Sequence, residues 1–166
     1  VSDLVVSADG VCRFGGKDYR CALGSGGIVA NKREGDGGTP VGTWPLRHLL
    51  YRPDKGEPPR CILPSAPIAP DDGWCDAPDH TDYNHPVRLP FDASHEEMWR
   101  DDHLYDLVVV VGHNDDPPVA GAGSAIFLHL ARHDWGPTAG CVAFTRDDFE
   151  EILAGLTTES RLIVES

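Results

Sequence analysis

Basic residues are scarce: the 166 residues include 14 Lys and Arg against 27 Asp and Glu, a formal net charge of -13. Nucleic-acid phosphates are bound by clustered Lys and Arg, so no nucleic-acid partner is expected. No apolar run approaches the ~20 residues that a membrane-spanning helix needs. No two cysteines stand at CxxC spacing, which argues against a zinc ribbon and against a thioredoxin-type redox pair. Methionine occurs once, at Met98, and the chain begins at Val1. A processed N-terminus is therefore expected, and a removed signal peptide would leave no trace.

Glycine and proline are plentiful. With 18 Gly and 14 Pro they make up about a fifth of the chain, against a usual ~12%, and no collagen-like period accompanies them. They punctuate turns, as in a loop-rich β protein. The 40% apolar and 25% charged content is that of a globular chain, and the length suits one domain, 1–166, with a single core. The five cysteines are Cys12, Cys21, Cys61, Cys75 and Cys141. In an oxidising compartment four could pair in three ways, leaving one free; in a reducing one all would be thiols.

Residues 1–30 read as short strands. Val11 to Ala22 form a hairpin; a four-residue turn, Gly15-Gly16-Lys17-Asp18, would pair Phe14 with Tyr19 and set Cys12 opposite Cys21, near enough for a disulfide. Asn31 to Gly42 is a charged, Gly-rich loop, and Trp44 to Leu50 resumes an apolar pattern. Tyr51 to Pro90 lacks clear periodicity for roughly 40 residues, a kind of stretch that often lines a cleft. Ser94 to Glu97 has the S-x-x-E form of a capping box and predicts a short helix. Leu107 to Val111, Ala125 to Leu130 and Cys141 to Phe144 read as buried strands. Thr145 caps a helix running to about Ala154, Gly155 marks its stop, and Arg161 to Val164 is a closing strand.

His129 lies within an apolar strand twelve residues before Cys141, which follows the small residues Thr138, Ala139 and Gly140. A thiol is nucleophilic as thiolate, and a neighbouring imidazole can take its proton and stabilise the ion pair. Amides near Gly140 could face a developing oxyanion. The pattern suits acyl transfer through a thioester. His129 and His133 have i, i+4 spacing, but on a strand that separates them by well over 10 Å, so no metal is expected. The Lys32-to-Gly38 loop lacks the G-K-[ST] ending of a P-loop and is assigned a structural role.

Gly123 to Phe144 (GSAIFLHLARHDWGPTAGCVAF) resembles the active-site block of the L,D-transpeptidase, or YkuD-type, catalytic domain. In that family an apolar strand ends in a catalytic His and is followed by a loop, then Ser or Thr, any residue, Gly and Cys. Gly24 to Thr43 (GSGGIVANKREGDGGTPVGT) resembles the family's early segment, with its Lys, EGD-like turn and TPxG. The two blocks stand in the family's order, and together with the length they extend the resemblance over nearly the whole chain. It implies a mainly β fold, a mixed-sheet sandwich or half-barrel with a few short helices. It also implies a periplasmic or secreted, monomeric enzyme acting on peptidoglycan stem peptides, without metal or organic cofactor and open to acylation by carbapenems.

By the resemblance Cys141 is the nucleophile, His129 the base, Gly140 and Cys141 the oxyanion amides, and Thr138 a positioning residue. Tyr83, Asn84, Arg132 and Trp135 are candidate substrate contacts, and Trp74-Cys75-Asp76 a candidate cleft wall. The chain departs from the commoner pattern in having Ala139 where many members have His and Ala143 where many have Arg, as in a branch with TxGCVA-like motifs. Arg132, Arg88 or amides near Asn84 could replace that Arg. A stem-peptide hydrolase and a non-catalytic wall-binding module are the rival readings. A papain-like peptidase is disfavoured, because there the Cys precedes the His and begins a helix.

Overall fold

The computed structural model describes residues 2–166. Its elements run β1 (Leu4–Ser7), β2 (Val11–Phe14), β3 (Lys17–Arg20), β4 (Ile28–Val29), β5 (Thr39–Pro40), β6 (Gly42–Tyr51), β7 (Ser65–Pro67), β8 (Asp72–Cys75), β9 (Pro86–Arg88), β10 (His95–Glu97), β11 (Leu107–Val111), β12 (Phe127–Leu130), β13 (Val142–Phe144), α1 (Arg146–Gly155) and β14 (Arg161–Val164). The main sheet has the order β13-β12-β11-β6-β14-β1-β2-β3, with β7 beside β6. It is mixed: β1 with β14, β12 with β13 and β6 with β7 run parallel, the rest antiparallel. Just past β3 the chain reaches the opposite edge, where Ala22 and Ala143 exchange backbone hydrogen bonds of 2.8 and 3.0 Å. The sheet is thus nearly closed into a half-barrel, the mainly β architecture expected.

Period-two alternation divides the apolar strands between two cores. In β11, Leu107, Val109 and Val111 face the half-barrel interior with Leu128, Leu130, Val142 and Phe144. The alternate residues Val108 and Val110 face a second cluster with Trp74, Met98, Tyr105 and Phe127. Both faces of β11 are covered, which is why it reads as an unbroken apolar run rather than as an alternation. Burying a Leu or Phe contributes about 1.5–3 kcal/mol, so α1, which fully buries Phe149, Ile152 and Leu153 in the interior, is a principal support of the barrel. Thr145 caps it as expected, its hydroxyl accepting the Asp148 N–H. Gly155 is the last helical residue rather than the left-handed stop expected. Its requirement is space, because a Cβ there would sit 2.9 Å from the Phe14 ring.

Three expectations are corrected. The β2–β3 hairpin closes on two residues, Gly15 (φ 60°) and Gly16 (φ 78°), which adopt the left-handed pair that matches strand twist. Phe14 therefore pairs with Lys17 and Cys12 with Tyr19, and Cys12 is not opposite Cys21; all five cysteines are free thiols. Within residues 94–99 the chain forms strand β10 (His95–Glu97) instead of a helix. Pairing His95, Glu96 and Glu97 with Cys75, Trp74 and Gly73 buries Met98, a tertiary gain that overrides a local capping signal with no long apolar repeat behind it. The segment 51–90 is less irregular than its composition suggests, since β8 and β9 complete a three-stranded sheet with β10 over the second core. In addition, β12 starts at Phe127 rather than Ala125, whose φ is 54°.

Two stability outcomes follow from the packing. Replacing Gly24 by Ala would place a Cβ 2.1 Å from the Gly37 carbonyl oxygen and 2.9 Å from the Gly140 Cα. Backbone atoms cannot yield as side chains do, so a loss of about 3 kcal/mol is expected, read as a Tm lowered by about 10 °C. Gly35→Ala meets only open space at φ 80° and should cost about 1 kcal/mol. His113 is buried edge-on to Trp44, its Nδ1 without a partner among the described residues. Burial, and then the Lys32 charge, push its pKa down from 6.5 to about 4. The unfolded chain then binds the extra proton, so stability is complete above 6.5 and falls by roughly 3 kcal/mol as pH drops to 4. His113→Phe should lose less Tm over that window than the parent.

Candidate active site

The parallel register of β12 and β13 pairs Leu128 with Val142 and His129 with Ala143. Leu128 and Val142 point into the barrel, so Phe127, His129, Cys141 and Ala143 share the opposite face. Cys141 is level with Phe127, two positions from His129 on the adjacent strand, about 8 Å between Cα atoms by strand geometry. Both side chains line a cavity of about 500 Å³, walled by the Lys32–Gly37 loop, by Asp76, Glu96 and Arg100, and by the loop from Arg132 to Ala139. The twelve-residue spacing from His129 to Cys141 is taken up by the crossover that joins these parallel strands.

The thiol is bracketed by backbone. Cys141 Sγ donates to the Ala125 carbonyl at 3.3 Å and accepts from the Phe127 N–H at 3.4 Å. His129 Nδ1 lies 2.8 Å from the Leu130 carbonyl; that oxygen can only accept, so Nδ1 carries the proton and Nε2 is the free base. The ring packs edge-on against Tyr105 at 5.3 Å. Burial, reinforced by the Glu96 carboxylate, pushes the Cys141 thiol up to about 12 against the opposing pull of the Phe127 amide and Lys32. Burial likewise pushes His129 down to about 4, with Arg100 and Arg132 adding to it and the Leu130 carbonyl opposing. At neutral pH both groups are uncharged, so the resting site is a thiol and an imidazole rather than a preformed ion pair.

The Thr138 hydroxyl donates to the Cys141 carbonyl at 2.7 Å and accepts from the Gly140 N–H at 3.0 Å. That second bond occupies the Gly140 amide, whereas the Cys141 N–H has no hydrogen-bond acceptor among the described residues. The Gly140 φ of 136° and a Cβ position 2.7 Å from the Gly38 oxygen make glycine obligatory there.

The candidate substrate contacts separate. Arg132 lines the cavity and makes no ion pair among the described residues, whereas Arg88 is exposed and held by Asp71 and Asp72. Trp135 does not line the cavity; its ring stacks under the Arg20 guanidinium at 4.2 Å and packs against Ala22, Ala131 and Ala143. Tyr83 and Asn84 are buried and committed to protein partners. The Tyr83 hydroxyl donates to Glu34 at 2.6 Å and accepts from the Gly123 N–H at 3.0 Å. Asp76 does reach the cavity wall, and its Oδ1 is buried without a partner.

Several cavity residues stand outside the candidate set: Lys32, Glu34, Glu96, Arg100 and Tyr105. The Lys32 side chain is only 6% exposed and its ammonium bonds Asp36 at 2.6 Å. Burial favours the neutral Asp36 acid, but the Lys32 ammonium and the Arg33 and Gly38 amides outweigh it and hold the pKa near 2. Lys32 therefore belongs to the cavity as well as to a structural loop. Glu34 accepts from Tyr83 and from Ser124, both at 2.6 Å. Glu96 accepts the Tyr105 hydroxyl at 2.6 Å; burial, with Asp76 adding and the Tyr105 bond opposing, raises its pKa. The EGD-like turn pointed to Glu34 and Asp36, but nothing marked Glu96, Arg100 or Tyr105. His133 stacks on His103 at 4.4 Å, and among the described residues no three His, Cys, Asp or Glu side chains converge to hold a metal.

No curated protein and no solved structure matches the chain. The family model of the L,D-transpeptidase catalytic domain (YkuD) matches residues 8–164, and so takes in both glycine-rich blocks, the crossover and every strand of the half-barrel except β1. With that match over nearly its full length, the chain belongs to the L,D-transpeptidase catalytic-domain family, cysteine enzymes that modify peptidoglycan.

Proposed function

We propose that the protein is a peptidoglycan L,D-transpeptidase of a TxGCVA-type branch, with Cys141 as nucleophile and His129 as general base. The observation that carries this is the shared face of β12 and β13, which presents the thiol and the imidazole Nε2 to one cavity of about 500 Å³. Cys141 Sγ attacks the carbonyl carbon of the diamino acid at stem position three while its proton passes to His129 Nε2. The oxyanion that forms is within the province of the free Cys141 N–H. Collapse breaks the peptide bond, and His129 returns the proton to the departing D-alanine amine. An amine of a second stem then attacks the thioester carbonyl, gives its proton to His129, and expels the thiolate, which is reprotonated.

A neutral pair suits this sequence. Proton transfer concerted with attack avoids holding a buried thiolate, which at a thiol pKa of about 12 would be about one molecule in 10⁵ at neutral pH. Arg132, the cavity guanidinium free of an internal partner, takes the role of the missing Arg and holds the carboxylate of the leaving D-alanine. Such a substrate places the protein in the periplasm or outside the cell. Water as acceptor would make the same site an L,D-carboxypeptidase. The charged walls of the cavity, Glu34, Asp76, Glu96 and Arg100, hold water and keep that second reading in view.

Incubation with purified disaccharide-tetrapeptides, followed by mass spectrometry, separates these. Cross-linked dimer with loss of D-alanine is the expected product; tripeptide alone assigns hydrolysis. Cys141→Ala should abolish both and lose the carbapenem adduct, and an adduct on another cysteine sinks the assignment. Arg132→Ala should raise KM about tenfold with little change in kcat, since it removes a ground-state contact. Because His129 must be neutral to accept a proton, kcat/KM should rise as pH increases through about 4 and then stay level through neutrality. An inflection between 6 and 7 would mean that His129 titrates as an ordinary histidine.

A further inference from the structure

Asn84 is buried with φ 59° and uses every hydrogen-bonding position it has. Its Oδ1 accepts from Trp74 Nε1–H at 3.0 Å and from the Ala125 N–H at 2.9 Å. Its Nδ2 donates to the carbonyls of His113 at 3.1 Å and Asn114 at 2.7 Å. One amide thus joins β8, the turn after β11 and the entry to β12. Ala125, the residue it tethers, has φ 54°, a left-handed conformation that residues with a Cβ rarely adopt. That conformation turns the Ala125 carbonyl to the Cys141 thiol, 3.3 Å away, while Phe127, two residues on, supplies the N–H on the sulfur's other side.

We propose that Asn84 is a positioning residue for the nucleophile: by holding Ala125 left-handed, it keeps the Cys141 S–H hydrogen-bonded to the Ala125 carbonyl in the free enzyme. Asn84 does not itself line the cavity and makes no hydrogen bond to the sulfur; it reaches the site through Ala125, which does line it. The role gives Trp74 and the β8–β10 sheet a part in the site, since the Trp74 indole fixes the orientation of the Asn84 amide. It also defines the first event on substrate binding. The S–H must leave the Ala125 carbonyl and turn to His129 Nε2, and the peptide carbonyl left behind favours the thiol over the thiolate until it does.

The role rests on Cys141 being the nucleophile, but its test does not depend on which product forms. The infrared S–H stretch reports the hydrogen bond directly, and a difference spectrum against Cys141→Ala isolates this thiol from the other four. Asn84→Ala should move the band to higher frequency, toward that of a thiol without an acceptor. Carbapenem acylation of Cys141 should slow about 100-fold, the scale of a 1 Å misplacement. Adding Ala125→Gly to Asn84→Ala should return most of the rate, because glycine holds the left-handed turn without a tether; a general packing defect would not be repaired at that position. If Asn84→Ala does not fold, Asn84→Asp keeps the oxygen that accepts from Ala125, and its band should stay at the parent frequency. An unmoved band in folded Asn84→Ala, or a shifted one in Asn84→Asp, overturns the proposal.

Discussion

The site depends on a contact made without side chains. Gly24, Gly37, Gly38 and Gly140 approach so closely that a Cβ on Gly24 would fall 2.1 Å from the Gly37 carbonyl oxygen and one on Gly140 2.7 Å from the Gly38 carbonyl oxygen. Around it the backbone is tied across: Thr138 N–H to the Leu23 carbonyl, Ser25 N–H to the Thr138 carbonyl, and Gly24 N–H to the Thr39 hydroxyl. Segments about a hundred residues apart are thus locked amide to amide, at the step before Cys141. Loop residues ordinarily tolerate movement of an ångström or more; here there is no side chain to deform, and the nucleophile inherits the rigidity of the sheet.

That rigidity bears on the buried, neutral pair of Cys141 and His129. Desolvation drives the thiol up and the imidazole down, which by itself works against nucleophilic chemistry. What the fold supplies in return is geometry and dipoles fixed beforehand: the Phe127 amide at the sulfur, the Leu130 carbonyl setting the tautomer of His129, and the free amide of Cys141. Preorganised groups of this sort need no rearrangement when charge develops. The charged residues of the cavity are held in the same manner, Lys32 by Asp36, Arg100 by Asp102 and Glu96 by Tyr105. Arg132 stands apart from this pattern, lining the cavity without an ion pair among the described residues.

How much of this the sequence disclosed depended on the range of the interactions involved. Strands β11, β14 and helix α1 were legible because burial and capping are written in adjacent residues. The hairpin β2–β3 was legible in kind but not in register, since two glycines in succession permit the tighter turn and shift every cross-strand pair. Residues 94–99 misled because a capping box is a local signal, while the pairing of Glu96 with Trp74 is set by a strand twenty residues away. Cys141 and His129 were legible as a motif. Glu96, Arg100 and Tyr105 were not, because a polar side chain looks the same in sequence whether it ends in solvent or in a cavity. Trp135, a candidate substrate contact, stands outside the cavity lining, because the loop turns its ring out to Arg20.

The missing Arg after the nucleophile is accounted for by the closure of the sheet. Ala143 is 1% exposed and sits between Ala22 and Ala131, with its backbone exchanging two hydrogen bonds with Ala22. The stem of an Arg there would have to leave from between Ala22 and Ala131, at the seam where the barrel edges meet, before its guanidinium reached the cavity that Ala143 also lines. Small residues there let the edges join, and the crossover loop that follows β12 presents Arg132 to the cavity instead. The departure from the commoner motif is therefore a coupled one. The seam takes the volume that a long side chain at 143 would need, and a cation enters the same cavity from the other strand's loop.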